Sequence, residues 1–198
     1  MSAGVRNVAL DLLRHGDTDQ RSYRGQLDDA LSALGWRQLD EAVEGGDWDV
    51  VVSSTLRRCL AFAQQLATRR GLPLRTDARL AEYHFGRWQG MPIETIAEED
   101  AAALGAFWRD PVAHPPPGGE PFDAFRMRLC AALDDIVRIW PTQRVLVVTH
   151  GGAIRLLRCI AEGRAFGDMA GIDVAHASLH RLHWPAPVSV PSCEASPV

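Results

Sequence analysis

The chain has 198 residues, of which 46% are apolar and 23% are charged. This length suits one domain with a substantial core, and the balance excludes disordered, collagen-like, coiled-coil and repeat proteins. The net charge of −4 and the isoelectric point near 6.0 argue against nucleic acid or an anionic membrane as the main partner.

The N-terminal and cysteine patterns favour the cytoplasm. No segment approaches the roughly 18 consecutive apolar residues of a membrane helix, and residues 1–13 lead into a polar motif without the cleavage site of a signal peptide. The four cysteines form no Cys-x-x-Cys pair, and three of them lie in helical patterns rich in Leu and Ala. We therefore expect buried, reduced cysteines.

Strand-like and helix-like patterns alternate along the chain. Apolar runs predict strands at residues 8–13, 49–54, 74–80, 145–148 and 172–184. Apolar residues at helical spacing predict helices after Ser32, over 56–70, 93–108 and 122–140, and after His150. Such alternation is typical of βαβ units, so the sequence predicts a three-layer α/β/α sandwich around a mainly parallel sheet.

The stretch 82–120 is irregular and rich in Gly and Pro. We interpret it as a small cap inserted over the site, within a single domain of residues 1–184. The Pro- and Ser-rich tail, residues 185–198, is predicted to be flexible.

Two histidines share one setting. His15 and His150 each follow an apolar strand and each precede a glycine. Ligands of open α/β sheets bind beyond the carboxyl ends of the strands, so adjacent strands would place both imidazoles at one crevice. Gly16 and Gly151 would let a substrate approach the backbone there. The helix after Gly152 presents free N–H groups and a positive dipole end, which favours a phosphate.

Five segments, taken in chain order, resemble the motifs of a known family. They are Arg14-His15-Gly16-Asp17-Thr18, the Ser-x-x-Leu-x-Arg segment that ends at Arg58, the segment from Leu80 to Gly90 that contains Glu82, Pro117-Gly118-Gly119-Glu120, and Val148-Thr149-His150-Gly151-Gly152. This pattern resembles the histidine phosphatase superfamily, also called the phosphoglycerate mutase-like family, over about residues 8–161. The resemblance implies that family's fold and a phosphomonoesterase that uses no metal or cofactor and acts on a small phosphorylated metabolite.

The resemblance also implies a role for each motif residue. His15 would attack phosphorus and carry the phosphoryl group, while Arg14 and Arg58 would clamp the phosphate and lower the pKa of His15. Glu82 would be the general acid that protonates the leaving oxygen and then takes a proton from water. His150, protonated once the dianion is bound, would add a further donor.

Other polar residues receive weaker assignments. Gly151, Arg21 and Arg24 are candidate substrate-binding residues, and Arg21 stands where many family members have an Asn that touches phosphate. Asp17 and Glu120 are expected to organise loops, and Arg57 to face solvent. Within a strand His176 and His180 would share one face and His183 the other, so we expect no metal cluster, although His176 can reach the pocket.

The whole-chain pattern looks most like bacterial α-ribazole phosphatases, which act late in the assembly of cobalamin. Three alternatives stay open: a broad-specificity, small-metabolite or phosphoprotein phosphatase, a phosphoglycerate mutase, and a catalytically silent phosphate-binding protein. Mutases of this family are longer, and silent members typically lack one of Arg14, His15, Arg58, Glu82 and His150. A homodimer is compatible with the sequence.

Overall fold

A five-stranded sheet forms the centre of the protein. The computed structural model describes residues 7–185, and its strands are β1 (Asn7–Arg14), β2 (Val50–Ser53), β3 (Leu74–Thr76), β4 (Val145–Thr149) and β5 (Leu179–Pro185). Their order is β3-β2-β4-β1-β5. The β2–β3, β2–β4 and β1–β4 pairs are parallel, and β5 pairs antiparallel with β1 at one edge. The predicted, mainly parallel sheet is confirmed.

Helices cover both faces of this sheet, which confirms the predicted three layers. The helices are α1 (Ala33–Ala42), α2 (Arg57–Arg70), α3 (Ile93–Arg109), α4 (Phe122–Ile139) and α5 (Gly151–Glu162). The apolar side chains of α1 and α2 pack with Leu146 and Val148 of β4, whereas those of α4 and α5 pack with Val145 and Val147. Because β4 is buried on both faces, its sequence is a continuous apolar run.

Two of the predicted strands are too long. The strand predicted over 74–80 ends at Thr76, because the Asp77 side chain accepts a hydrogen bond from Arg79 N and caps a 3₁₀ turn, Ala78–Leu80. The strand predicted over 172–184 begins only at Leu179. Ahead of it the chain turns, and Ala177 takes a φ of +56° while its N–H donates to the His15 carbonyl.

Residues 82–120 contain a 3₁₀ turn, Gly86–Trp88, and α3, which has a non-helical residue at Asp100. This stretch supplies one wall of the central cavity, described below. Its interpretation as an inserted cap of a single domain stays a prediction. Pro185 closes β5, and the rest of the predicted flexible tail lies outside the described residues. Within residues 7–185, none of the helices combines the length and the apolar character needed to cross a membrane.

Candidate active site

The two histidines meet at one end of the sheet. Strands β1 and β4 are adjacent and parallel, with Arg14 opposite Thr149, so both chains leave the sheet at the same edge. The centroids of the His15 and His150 rings lie 5.3 Å apart. The adjacency expected from the matched strand ends is therefore observed.

His15 is held as a neutral imidazole. Its Nδ1 lies 2.7 Å from the Gly16 carbonyl oxygen, which can only accept, so Nδ1 carries the proton and Nε2 keeps its lone pair. Only 6% of the residue is exposed. Burial first, and then the charges of Arg58 and Arg14, hold the pKa of His15 well below its usual value. The direction of this shift is the one that the sequence analysis expects.

Arg14 presents an unused donor to the same space. Its Nη1 donates to the Val174 carbonyl at 2.6 Å and its Nη2 to His176 Nε2 at 2.9 Å. Its Nε is buried and has no hydrogen-bond partner among residues 7–185. A buried N–H without a partner costs free energy, and an oxyanion would supply the missing acceptor.

Arg58 is almost fully buried and joins two parts of the site. It donates from Nη1 to the Leu27 carbonyl and from Nη2 to the Gly25 carbonyl, both at 2.6 Å, and from Nε to His150 Nδ1 at 3.2 Å. These bonds use three of the five N–H groups of a guanidinium and leave two for a ligand. Arg58 thereby fixes the loop that follows β1 over the site.

His150 lies behind His15 and does not line the cavity. Arg58 donates to its Nδ1, so its proton is on Nε2, which lies 2.8 Å from Ser54 Oγ. Burial is the main reason that the pKa of His150 lies well below its usual value, and the charges of Arg58 and His15 lower it further. In this structure His150 is therefore neutral, and the protonated state expected with a bound dianion stays a prediction.

Glu82 sits at the N-terminus of α5. Its Oε1 accepts from the N–H groups of Tyr83 and Ala153, both at 3.1 Å, and its Oε2 accepts from Gly152 N at 2.9 Å. A methyl group on Gly152 would lie 2.6 Å from Oε1, so a side chain at this position would displace the Glu82 carboxylate. The N-terminus that the sequence analysis assigned to a phosphate thus also holds a carboxylate.

The remaining candidate residues have different surroundings. Arg21 and Gly151 line the cavity, and Arg21 is exposed. Arg24 also lines it, but Nε and Nη2 form a bidentate pair with Asp29 and Nη1 donates to Ser22, contacts that organise the loop. Gly16 serves a purpose other than the one predicted, because a methyl group there would overlap the Gly35 carbonyl of α1 rather than a substrate.

All the predicted site residues except His150 line one cavity of about 710 Å³, together with residues that were not predicted. Sequence reasoning missed Tyr23, Trp108 and Arg155, which also line it, and it left the position of His176 open. Arg155 follows the second histidine motif by one helical turn, and that spacing is a signal that could have placed it at the site. Residues 7–185 contain no group of three or more His, Cys, Asp or Glu side chains arranged to hold a metal ion.

Comparison with known proteins agrees with this geometry. Residues 10–187 match the histidine phosphatase superfamily (branch 1), and the chain belongs to this family. Several of its relatives are named as phosphatases. The family predicted from the motifs is confirmed.

The sequence relatives include two mycobacterial proteins. The chain is 36% identical over 198 aligned residues to glucosyl-3-phosphoglycerate phosphatase of Mycobacterium tuberculosis, which covers 89% of this chain and 87% of that protein. It is 34% identical over 181 residues to a bifunctional protein of the same organism. That match covers 88% of this chain but only 47% of the relative, so the chain spans about half the length of that protein.

Solved structures share the fold over nearly the whole chain. The mycobacterial glucosyl-3-phosphoglycerate phosphatase superposes with a TM-score of 0.79 at 32% identity, covering 90% of this chain and 91% of that one. The α-ribazole phosphatase of Shigella flexneri superposes with a TM-score of 0.75 at 27% identity, covering 88% and 89%.

Proposed function

We propose that the protein hydrolyses small phosphate monoesters through a phosphohistidine formed on His15. The observation that carries this proposal is the protonation state of His15, because its buried Nε2 has a lone pair beside two arginines. Arg14 and Arg58 keep unused N–H groups for the equatorial oxygens of a phosphate. Phosphoryl transfer needs this positioning and charge neutralisation more than it needs other chemistry.

In the first step the His15 Nε2 lone pair attacks phosphorus in line and the bond to the ester oxygen breaks. Glu82 must enter this step in its acid form, and the leaving alkoxide takes the proton from its Oε2, which accepts a single N–H and has a lone pair free to carry that proton. The charge of the phosphoryl group stays between Arg14 and Arg58 throughout, and Gly151 leaves room for it beside the start of α5.

In the second step a water molecule attacks the phosphorus atom, and the bond to His15 Nε2 breaks. Glu82, now ionised, accepts the proton from that water, so both the acid and the imidazole return to their starting states. His150, whose ring centroid lies 5.3 Å from that of His15, packs behind the nucleophile and is itself held by Ser54 and Arg58. Inorganic phosphate then leaves through the open side of the cavity.

Two substrates are candidates within this proposal. The whole-chain pattern favours α-ribazole 5′-phosphate, and a solved α-ribazole phosphatase shares 27% identity. In the same structural comparison, the glucosyl-3-phosphoglycerate phosphatase shares 32% identity over most of both chains. This difference makes glucosyl-3-phosphoglycerate the first candidate and α-ribazole 5′-phosphate the second, with cytoplasmic metabolism as the setting of either.

The proposal is tested by phosphate release from the purified protein, with EDTA and without added metal. The panel contains both candidate substrates, 3-phosphoglycerate and p-nitrophenyl phosphate. We expect turnover of at least one ester, and we expect His15→Ala to lower kcat on the order of 10³-fold or more. Turnover that persists in His15→Ala would show another nucleophile. Formation of 2-phosphoglycerate from 3-phosphoglycerate would indicate a mutase, and inactivity on the whole panel would indicate a silent binding protein.

A further inference from the structure

Another cationic group, Arg155 of α5, lines the same cavity as Arg14 and His15. Its Nε donates to the Ile172 carbonyl at 2.9 Å, which anchors the side chain against the cavity wall. Across the described part of the chain this is its one hydrogen bond, and no Asp or Glu oxygen lies within 4.0 Å of it. Arg24 of the same cavity, in contrast, is fully paired with Asp29.

The guanidinium of Arg155 lies close to that of Arg14. A methyl group placed on Gly151 would lie 3.2 Å from Arg14 Nε and 3.2 Å from Arg155 Nη1, so at most twice that distance separates the two atoms. Burial lowers the pKa of Arg14, the Glu82 charge opposes this, and the charge of Arg155 lowers it further. Two like charges this close are stabilised by an anion that binds beside them.

Tyr23 adds a neutral donor to the lining of the same cavity. Trp108 Nε1 donates to the Tyr23 hydroxyl oxygen at 2.9 Å, so the hydroxyl proton remains available to a ligand. Burial raises the pKa of Tyr23 to about 12, against the opposing effects of the Trp108 bond and the Arg155 charge. Tyr23 therefore stays protonated. Glu94 also lines this cavity, but it is exposed and its charge is screened by solvent.

We propose that Arg155 and Tyr23 form a subsite for a carboxylate on the leaving group, so that the preferred substrates are phosphate esters of hydroxy acids. The inference rests on the proposed function, which places the phosphate at His15 and Arg14. The leaving group then occupies the rest of the cavity that Arg155 and Tyr23 also line. Glucosyl-3-phosphoglycerate carries such a carboxylate, whereas α-ribazole 5′-phosphate has none. The subsite thus distinguishes the two candidate substrates by their charge.

A matched pair of ligands tests the subsite. 3-Phosphoglycerate and glycerol 3-phosphate differ in a carboxylate against a hydroxymethyl group, and each can be measured as a competitor of p-nitrophenyl phosphate hydrolysis at constant ionic strength. In the wild-type protein we expect 3-phosphoglycerate to have the lower inhibition constant, by about 10- to 100-fold, as for a charge-assisted hydrogen bond. Arg155→Gln should reduce this ratio to near 1, and Tyr23→Phe should reduce it a few-fold.

The ratio of the two constants cancels any effect that a substitution has on the phosphate position itself. Arg158→Gln is the control, because it removes the same charge from the same helix at a residue that pairs with Glu162 outside the cavity, and it should keep the wild-type ratio. A wild-type ratio near 1, or a ratio that Arg155→Gln leaves unchanged, would overturn the subsite. The His15→Ala measurement on p-nitrophenyl phosphate tests the phosphohistidine separately, so failure of one proposal is distinguishable from failure of the other.

Discussion

A nucleophilic histidine that attacks a phosphate needs a free lone pair in a strongly positive environment, and at His15 one set of groups supplies both. In the proposed mechanism Arg14 and Arg58 bind the phosphate, and their charges also oppose a second proton on the imidazole. The Gly16 carbonyl then decides which nitrogen keeps the lone pair, because it holds the proton on Nδ1. In the proposed mechanism, phosphate affinity and nucleophile activation therefore arise from the same two guanidinium groups.

At Glu82, backbone hydrogen bonds determine which carboxylate oxygen can carry a proton. Three backbone N–H groups occupy both lone pairs of Oε1 and one lone pair of Oε2, which leaves one position for a proton. The geometry thus fixes which oxygen can act as the acid. It also keeps the carboxylate from rotating, since each N–H belongs to the backbone of a buried or helical residue.

The acid role predicts that Glu82→Gln depends on the leaving group. We expect kcat to fall about 10²- to 10⁴-fold for an alkyl phosphate such as 3-phosphoglycerate, whose alkoxide must be protonated as it leaves. The loss for p-nitrophenyl phosphate should be much smaller, because nitrophenolate is a stable anion. Steady-state kinetics on both esters measures the two losses.

Glu94→Gln provides the comparison for this measurement, because it removes the same charge from an exposed residue of the same cavity. Glu94→Gln should lower kcat only slightly, and by the same factor for both esters. Equal losses on the two esters in Glu82→Gln would contradict proton donation and would leave Glu82 a positioning residue for α5.

At the scale of elements, the loop after β1 is held to α1 by backbone packing. Gly16 and Gly35 approach so closely that a side chain on either would overlap backbone atoms of the other segment. Ser32, the N-cap of α1, accepts from Gly35 N at 3.0 Å and donates to Asp17 Oδ2 at 2.7 Å. Asp17 thus organises the loop, as the sequence analysis expects, and α1 fixes the backbone that carries His15.

This packing predicts that replacing glycine with alanine lowers the stability of the protein at one helical position and raises it at another. Gly35→Ala should lower the free energy of unfolding by about 1–3 kcal/mol, because its methyl group overlaps the Asp17 carbonyl oxygen. Gly105→Ala in α3 should raise it by up to about 1 kcal/mol, because its methyl group meets only Arg109 Nη1 at 3.4 Å and alanine favours the helix. Urea unfolding of the two variants measures both changes. Stabilisation by Gly35→Ala would show that the loop is free to move away from α1.

At the scale of the whole molecule, local patterns predicted the elements and the edge of the sheet where the site lies. Short stretches of consecutive residues are enough to recognise the apolar run of β4, the helical spacing of α5 and the glycine after each histidine. The contacts that complete the site join distant segments, as in the bonds from Arg14 to His176 and from Arg58 to Gly25. The turn that brings His176 to Arg14 depends on the positive φ of Ala177, which an alanine does not signal.

The site also makes the stability of the molecule depend on pH. His15, His150 and His176 all have pKa values below the ordinary value, mainly because of burial, and that of His176 is about 4. The unfolded chain therefore binds more protons than the folded chain below about pH 6.5. The stability present above this pH is lost as the pH falls toward the folded pKa values, and each fully buried neutral histidine contributes a slope of about 1.4 kcal/mol per pH unit.

For His15 and His150 together, we expect the free energy of unfolding to fall by about 3 kcal/mol between pH 6.5 and 5. That is a large part of the 5–15 kcal/mol typical of a domain, so the protein should be markedly less stable at pH 5 than at pH 6.5. Urea unfolding at a series of pH values gives the slope. His15→Asn should lower the slope by removing one of the two groups, whereas His114→Asn, at an exposed position, should leave it unchanged. A free energy of unfolding that is constant over this range would mean that the buried imidazoles can take up protons without unfolding, and it would remove the electrostatic basis for a neutral nucleophile at His15.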